Sequence, residues 1–249
     1  MMSTDLVGKV VVVTGGVTGI GGAASRGFAK AGAKVLAQYH SGGPELAEAK
    51  KLGLMTLQLD LTGPDAPQKL IDAALTEFGR IDVLVNNAGS MVARTPLGDV
   101  TDEYIDLVFN LNCRQLVHCC RLGAEAMKKQ GSGNIINVSS IAARNGGGPG
   151  ASIYASAKGF VSAFSKSIAR ELVDHKIRVN CVSPGTIHTQ FHERFSDEKR
   201  RIAMAKTIPM GYLGAADDCT GTFLYLASDE ASGYITGQVI EVNGGQLMP

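Results

Sequence analysis

Tyr154 and Lys158 stand four positions apart in a stretch whose apolar residues, Tyr154, Ala157, Val161, Phe164, Ile168 and Leu172, recur in steps of three and four. This spacing predicts a helix with one stripe turned to a core, and it puts the phenol and the ammonium on one face, a turn apart. A phenol with an ordinary pKa of about 10 exchanges protons poorly at neutral pH unless a neighbouring cation stabilises its anion. Lys158 supplies that charge, so the pair suits proton exchange with an oxygen of a bound molecule. Ser139 and Ser140 close a β-branched run, Asn134–Val138, where a hydroxyl polarises a carbonyl or holds an alcohol oxygen. Neighbours on a strand point in opposite directions; Ser140 is the choice and Ser139 its competitor. Asn110 lies within a predicted long helix, Tyr104–Gln130, where asparagine is mildly unfavourable unless its side chain has a role. On a regular helix Asn112 faces away from Asn110.

A second constellation is Thr14-Gly15-Gly16-Val17-Thr18-Gly19-Ile20-Gly21, between the first apolar run and the first helical stretch. Glycines there allow a tight turn and let the backbone approach a pyrophosphate at the positive end of the helix. The spacing is G-x-x-x-G-x-G, and by itself it is also that of a plain strand-to-helix turn.

These residues need elements to position them. Short β-branched runs at Lys9–Val13, Lys34–Gln38, Met55–Leu59, Asp82–Val85, Asn134–Val138, Arg178–Val182 and Gln238–Val242 alternate with helical stretches at Gly21–Ala31, Ala66–Phe78, Tyr104–Gln130 and from Tyr154 onward. The runs are continuously apolar, as in parallel strands covered on both faces. Strand and helix in alternation predict a single-domain α/β fold over residues 1–249, a doubly wound parallel sheet of about seven strands with helices on both faces.

Composition narrows the function. The 249 residues carry 24 basic and 23 acidic side chains, and without an excess of cations the chain is not built to neutralise a run of phosphates, so no nucleic-acid partner is expected. The longest apolar run, Phe223–Ala227, has five residues against the roughly 20 of a spanning helix. No membrane partner and no secretory leader are read, and a cytoplasmic location is expected. Five cysteines without a C-x-x-C pair read as reduced, buried thiols. His188 and His192, with Glu193 adjoining, lack a third ligand of recognisable spacing, and no metal is expected.

The ordered set of the Thr14–Gly21 turn, Asp60, Asn86-Asn87-Ala88-Gly89, Asn110, Ser139-Ser140, Tyr154-x-x-x-Lys158, Pro184-Gly185 and Thr189 resembles the short-chain dehydrogenase/reductase family over essentially the whole chain. The resemblance implies a Rossmann-like fold, a nicotinamide dinucleotide, and a catalytic group of Ser140, Tyr154 and Lys158 supported by Asn110, which helps retain a water for proton relay. It gives Lys158 a further contact with the nicotinamide ribose. It implies cofactor contacts at Gly15, Thr18, Gly19, Ile20 and Gly21, at Asn87, Ala88 and Gly89, and at Pro184, Gly185, Ile187 and Thr189. Asp60 is expected at the adenine, with Leu61 as a backbone or apolar contact. The spacing from Ser140 to Tyr154 is one longer than the family's usual one, so the intervening glycine loop is expected to bulge.

At the end of the second strand Tyr39-His40-Ser41 stands where an acidic residue would select NAD. Hydrogen bonds from His40 and Ser41 to a 2′-phosphate favour NADP, with NAD possible because no arginine or lysine sits there. The polar stretch from Gln190 to Lys206, with His188, Gln190, His192, Glu193 and Arg194, suggests a lid over a small sugar or polyol. The alternatives are a 3-oxoacyl-thioester (acyl carrier protein) reductase, for which Lys199, Arg200 and Arg201 offer charge, and a non-catalytic dinucleotide-binding regulator. Surplus apolar surface on the helix of Cys119 and Cys120, and the last strand, are expected to pack subunits into a homotetramer.

Overall fold

The structure, a computed structural model, describes residues 4–189 and 198–248. Seven parallel strands form the sheet: β1 (Val10–Thr14), β2 (Lys34–Tyr39), β3 (Met55–Gln58), β4 (Val83–Asn86), β5 (Gly133–Val138), β6 (Ile177–Pro184) and, after two short strands, β9 (Val239–Val242). Their order is β3-β2-β1-β4-β5-β6-β9. The short pair, β7 (Ile187–His188) and β8 (Gly214–Ala215), makes a small second sheet. All seven predicted strands are present, with ends shifted by a residue or two.

The four valines of β1 show why the runs lack polar alternation. Val12 enters a core formed with helices α3 (Ala66–Phe78), α5 (Gln115–Gln130) and α7 (Ser152–Leu172), whereas Val11 and Val13 enter the opposite core with α1 (Gly19–Lys30) and the helix Thr220–Ala227. Both faces of the strand are dry, so neither favours a polar side chain without partners; the one it carries, Thr14 at its end, has them. Strand order reverses between β1 and β4, opening a crevice at the carboxyl ends of the strands, where open α/β sheets place ligands. The opposite edge is tied by charge: Arg178 donates to the carbonyl of Leu226 at 2.9 Å and pairs with Asp229 at 2.9 Å, which also holds Lys9 at 2.7 Å.

Two expectations are corrected. The stretch Tyr104–Gln130 is not one regular helix: α4 (Asp102–Phe109) passes through a π-helical turn, Asn110–Arg114, into α5. The wider turn shifts the phase of the residues that follow, and such insertions recur at functional sites. The helix of Cys119 and Cys120 does not offer the expected surplus surface, since no large apolar side chain of α5 is exposed, while the two thiols themselves are buried as read. Exposed apolar side chains lie instead at Leu107 of α4 and Phe160 of α7, the latter stacked on Phe164 at 5.6 Å between ring centroids.

Candidate active site

The first turn leaves β1 through Gly15, whose φ of 60° suits glycine. A β-carbon on Gly16 would sit 2.7 Å from the carbonyl oxygen of Val13 and 3.0 Å from Cα of Ala37, so the chain can make this turn only with glycine. Gln38, buried at the end of β2, accepts from the Gly15 N–H at 2.9 Å and donates to the Leu59 carbonyl at 2.6 Å. The Thr14 hydroxyl accepts from the N–H groups of Asn87 and Ala88 at 2.9 and 3.0 Å, and the Asn87 amide returns a bond to the Thr14 carbonyl at 3.0 Å. The turn and the end of β4 are thereby one unit.

Helix α1 starts after Thr18, whose side chain does not cap it. Its first amides, at Gly19, Ile20 and Gly21, therefore keep their capacity for an anion, and the small residues around them leave room for a pyrophosphate. This donor set and this cradle fit a dinucleotide. Thr189 lies over the same turn: a β-carbon on Gly19 would be 3.7 Å from its Cβ. Pro184, Gly185 and Ile187 lead to it, with the Gly185 N–H bonded to the Val242 carbonyl at 2.9 Å. Ile187 is buried in the core, so only its backbone is available to a ligand.

His40 and Ser41 are exposed beyond β2, and Tyr39 is half-buried. Asp60 closes a local turn, accepting from the Thr62 hydroxyl at 2.7 Å and the Thr62 N–H at 2.9 Å. The hydroxyl bond, followed by the N–H bond, holds its carboxyl below the usual range, with His40 adding a smaller pull. Leu61 is 4% exposed and packs in the core, so of the two expected kinds of contact, backbone or apolar, its side chain leaves room for the backbone one.

Tyr154 and Lys158 project from α7 as predicted, with the ammonium 5.8 Å from the centre of the phenol ring. Ser140 shares a hydrogen bond with the Tyr154 phenol. Ser139 points the other way, its hydroxyl donating to the Lys158 carbonyl at 2.8 Å and meeting Ser162 at 2.7 Å. One serine thus faces the site and the other anchors the helix that carries it. The longer spacing is absorbed by the short helix α6 (Ala142–Asn145) and by positive φ at Gly146, Gly147 and Gly150.

Lys158 is 3% exposed and donates to the Val138 carbonyl at 2.9 Å. Burial draws it down to about 8 and pushes Tyr154 up to about 12, against the pull of the Ser140 hydrogen bond. A buried chain of amides braces this part of the sheet: Asn86 donates to Asn137 at 2.9 Å, Asn137 to Ser165 at 2.9 Å, and Ser165 to the Val161 carbonyl at 2.7 Å. These bonds join β4, β5 and α7, the elements that lead to Ser140, Tyr154 and Lys158.

The structure does not bring Asn110 to this group. Asn110 is half-buried at the start of the π turn, whereas Asn112 is fully buried and stands beside Lys158. A β-carbon on Gly89 would lie 2.6 Å from Oδ1 of Asn112 and 3.0 Å from Nζ of Lys158. Asn112 donates to the carbonyls of Ser90 and Val108, each at 2.8 Å, and its Oδ1 has no partner. An acceptor so placed suits a proton-relay water. The choice of Asn110 rests on its resemblance to the family's Asn-Leu pair; counting along a regular helix says only that Asn112, two residues on, faces away from it.

His188 lies in β7, while His192, Glu193, Gln190 and Arg194 lie outside the described residues. No cluster of three metal-binding side chains occurs among the described residues, and no helix there is long and apolar enough to cross a membrane.

A dinucleotide cradle at the switch point of a parallel sheet, beside a buried lysine and a tyrosine, defines a nicotinamide-dependent oxidoreductase. The profile of the family described as Enoyl-(Acyl carrier protein) reductase matches residues 15–246. The chain is 37% identical to the 3-oxoacyl-[acyl-carrier-protein] reductase of Thermotoga maritima over 98% of its length and 99% of that protein. It is 38% identical to the L-rhamnose 1-dehydrogenase (NAD(P)(+)) of a Sphingomonas species, covering 98% of each. Among solved structures, an NADH-dependent reductase responsible for alginate metabolism superposes with a TM-score of 0.89 at 33% identity, covering 99% of this chain and 100% of that one. The chain belongs to the short-chain dehydrogenase/reductase family and is an NAD(P)-dependent oxidoreductase.

Proposed function

We propose that the enzyme interconverts a secondary alcohol and a carbonyl on a small, polar, hydroxylated compound such as a sugar or polyol. The observation that carries the reading is the Ser140–Tyr154 hydrogen bond one helical turn from a buried Lys158. When bound, a nicotinamide supplies or takes the hydride. Ser140 holds the substrate oxygen, and Tyr154 gives or receives its proton. The Lys158 ammonium stabilises the phenolate and contacts the ribose, and the unpartnered Oδ1 of Asn112 retains the relay water. The cofactor contacts are the first turn, the Asn87–Gly89 segment and the Pro184–Thr189 loop, with Asp60 and the Leu61 backbone at the adenine.

NADP is the preferred cofactor in this reading, with NAD accepted. His40 and Ser41, exposed just beyond β2, would offer hydrogen bonds to a 2′-phosphate, and β2 does not end in a carboxylate. A second reading, reduction of 3-oxoacyl thioesters, is favoured by the full-length similarity to the acyl-carrier-protein reductase. Free, buried thiols fit a cytoplasmic location. The exposed Leu107 and Phe160, and the uncovered edge of β9, suit a homotetramer.

A panel of sugars, polyols and acetoacetyl-CoA, assayed with both cofactors at the nicotinamide absorbance band, tests the reading. Turnover of at least one member is expected, falling at least 10³-fold in Tyr154→Phe, in the range that proton transfer contributes. Unchanged turnover in that variant refutes the mechanism.

A further inference from the structure

The loop that follows Gly89 contains a strained residue that the proton chemistry does not use. Val92 has φ of 65°, and the Ala93 N–H donates to the Met91 carbonyl at 2.7 Å. Together these make a γ-turn of the rarer, positive-φ form. For a β-branched side chain that conformation is a true outlier, and strain of this kind persists only where its surroundings over-determine it. Here they do. The Tyr104 hydroxyl is shared between the carbonyls on either side of Val92, those of Met91 at 3.1 Å and Ala93 at 2.8 Å. Ser90 accepts from the Val92 N–H at 3.1 Å, and the Ser90 carbonyl is held by Asn112.

The loop's two ends lie against the catalytic group. Gly89 is the point on which Asn112 and Lys158 converge. At the other end, the Thr95 N–H donates to the Gly150 carbonyl at 2.9 Å and Arg94 to the Pro149 carbonyl at 3.0 Å, just before the helix of Tyr154. Val92 lies midway and packs on the cluster of Val108, Cys113 and Ala157, on which Tyr154 also rests.

We infer that Val92, held in the strained turn by Tyr104, is the wall that fixes substrate size beside Tyr154, with Tyr104 as its positioning residue. This rests on the functional reading above. A glycine would make the turn without strain, so the isopropyl group is kept for what it touches.

The test uses two 3-oxo esters of different bulk, ethyl acetoacetate and ethyl benzoylacetate, with acetoacetyl-CoA as a third probe. Val92→Ala keeps an L side chain in the turn but removes two methyl groups. It is expected to raise the kcat/KM ratio of the bulky over the small ester at least tenfold, the scale of one or two methylenes in a pocket. Tyr104→Phe is expected to move the ratio in the same direction, through KM, with kcat for the small ester within threefold. A purely structural role for the turn would lower melting temperature and scale both esters alike. A ratio that stays within twofold in both variants, while Tyr154→Phe abolishes turnover, overturns this inference alone. Survival of turnover in Tyr154→Phe overturns the functional reading and this inference with it.

Discussion

Lys158→Met is expected to make the cofactor-free protein slightly more stable at neutral pH while abolishing turnover. Burial draws this lysine from its ordinary 10.5 to about 8, which corresponds to about 3 kcal/mol borne by the fold whenever the ammonium is charged, at about 1.36 kcal/mol per tenfold change in proton affinity. Methionine has nearly the same reach without the charge. It also removes the donor to the Val138 carbonyl, and a buried carbonyl left unpaired costs about 1–3 kcal/mol. The net gain at pH 7 is therefore about 1 kcal/mol, or roughly 2–4 °C in melting temperature for a chain of this size.

The pH dependence gives the sharper test. Between pH 8 and 10.5 the folded lysine binds fewer protons than the unfolded one, so the wild type gains stability as pH rises through that window. The methionine variant lacks that gain. Tyr154, Cys119 and Cys219, held above their usual range by burial, titrate alike in both proteins; Cys113 and Cys181 are pushed up by burial against a pull from Lys158, and losing that pull only raises them further, so in the folded state they stay protonated through this window in both proteins. From pH 7 to 9.5 the difference between the two proteins should move about 2 kcal/mol in favour of the wild type. Urea unfolding of both, followed by circular dichroism at the two pH values, measures it. An identical difference at both pH values would mean that the ammonium is not held against burial.

The two asparagines of the π turn separate on activity. Asn112→Ala should lower kcat about 10²-fold, the low end of what proton-transfer groups contribute, whereas Asn110→Ala should stay within threefold; steady-state kinetics with the panel substrate decides, and the reverse ranking would restore Asn110. Lys176 sits before β6 with φ of 56° and ψ of 35°, a left-handed conformation that disfavours L side chains. Lys176→Gly is expected to raise stability by about 0.5–1 kcal/mol after the added unfolded-state freedom of glycine, visible as a higher melting temperature with unchanged kcat.

The sheet was legible in the sequence because its central strands are buried on both faces, and continuous β-branched runs such as Val10–Val13 have few other uses. Tyr154 and Lys158 were legible because helical spacing is rigid over one turn. The strand's alternation said that Ser139 and Ser140 point in opposite directions but not which of them meets Tyr154; that shows only in their hydrogen bonds. Asn112 was not legible, since a π turn leaves no compositional mark and carries every later side chain out of regular phase. Nor was the γ-turn at Val92, where tertiary hydrogen bonds from Tyr104 impose a backbone that valine's own preference opposes. The burial of Leu61 depended on how the helices pack, which apolar character alone leaves open; the five thiols, read as buried, are buried.

The crowding around Gly16 divides the nucleotide-facing surface into two kinds of position. Any larger residue there would collide with the main chain of the neighbouring strand, so inheritance is frozen at that point. His40 and Ser41, out in solvent beyond β2, bear no such load and can be exchanged at little cost to folding. The rim can thus be reworked one residue at a time while the turn beneath it stays fixed.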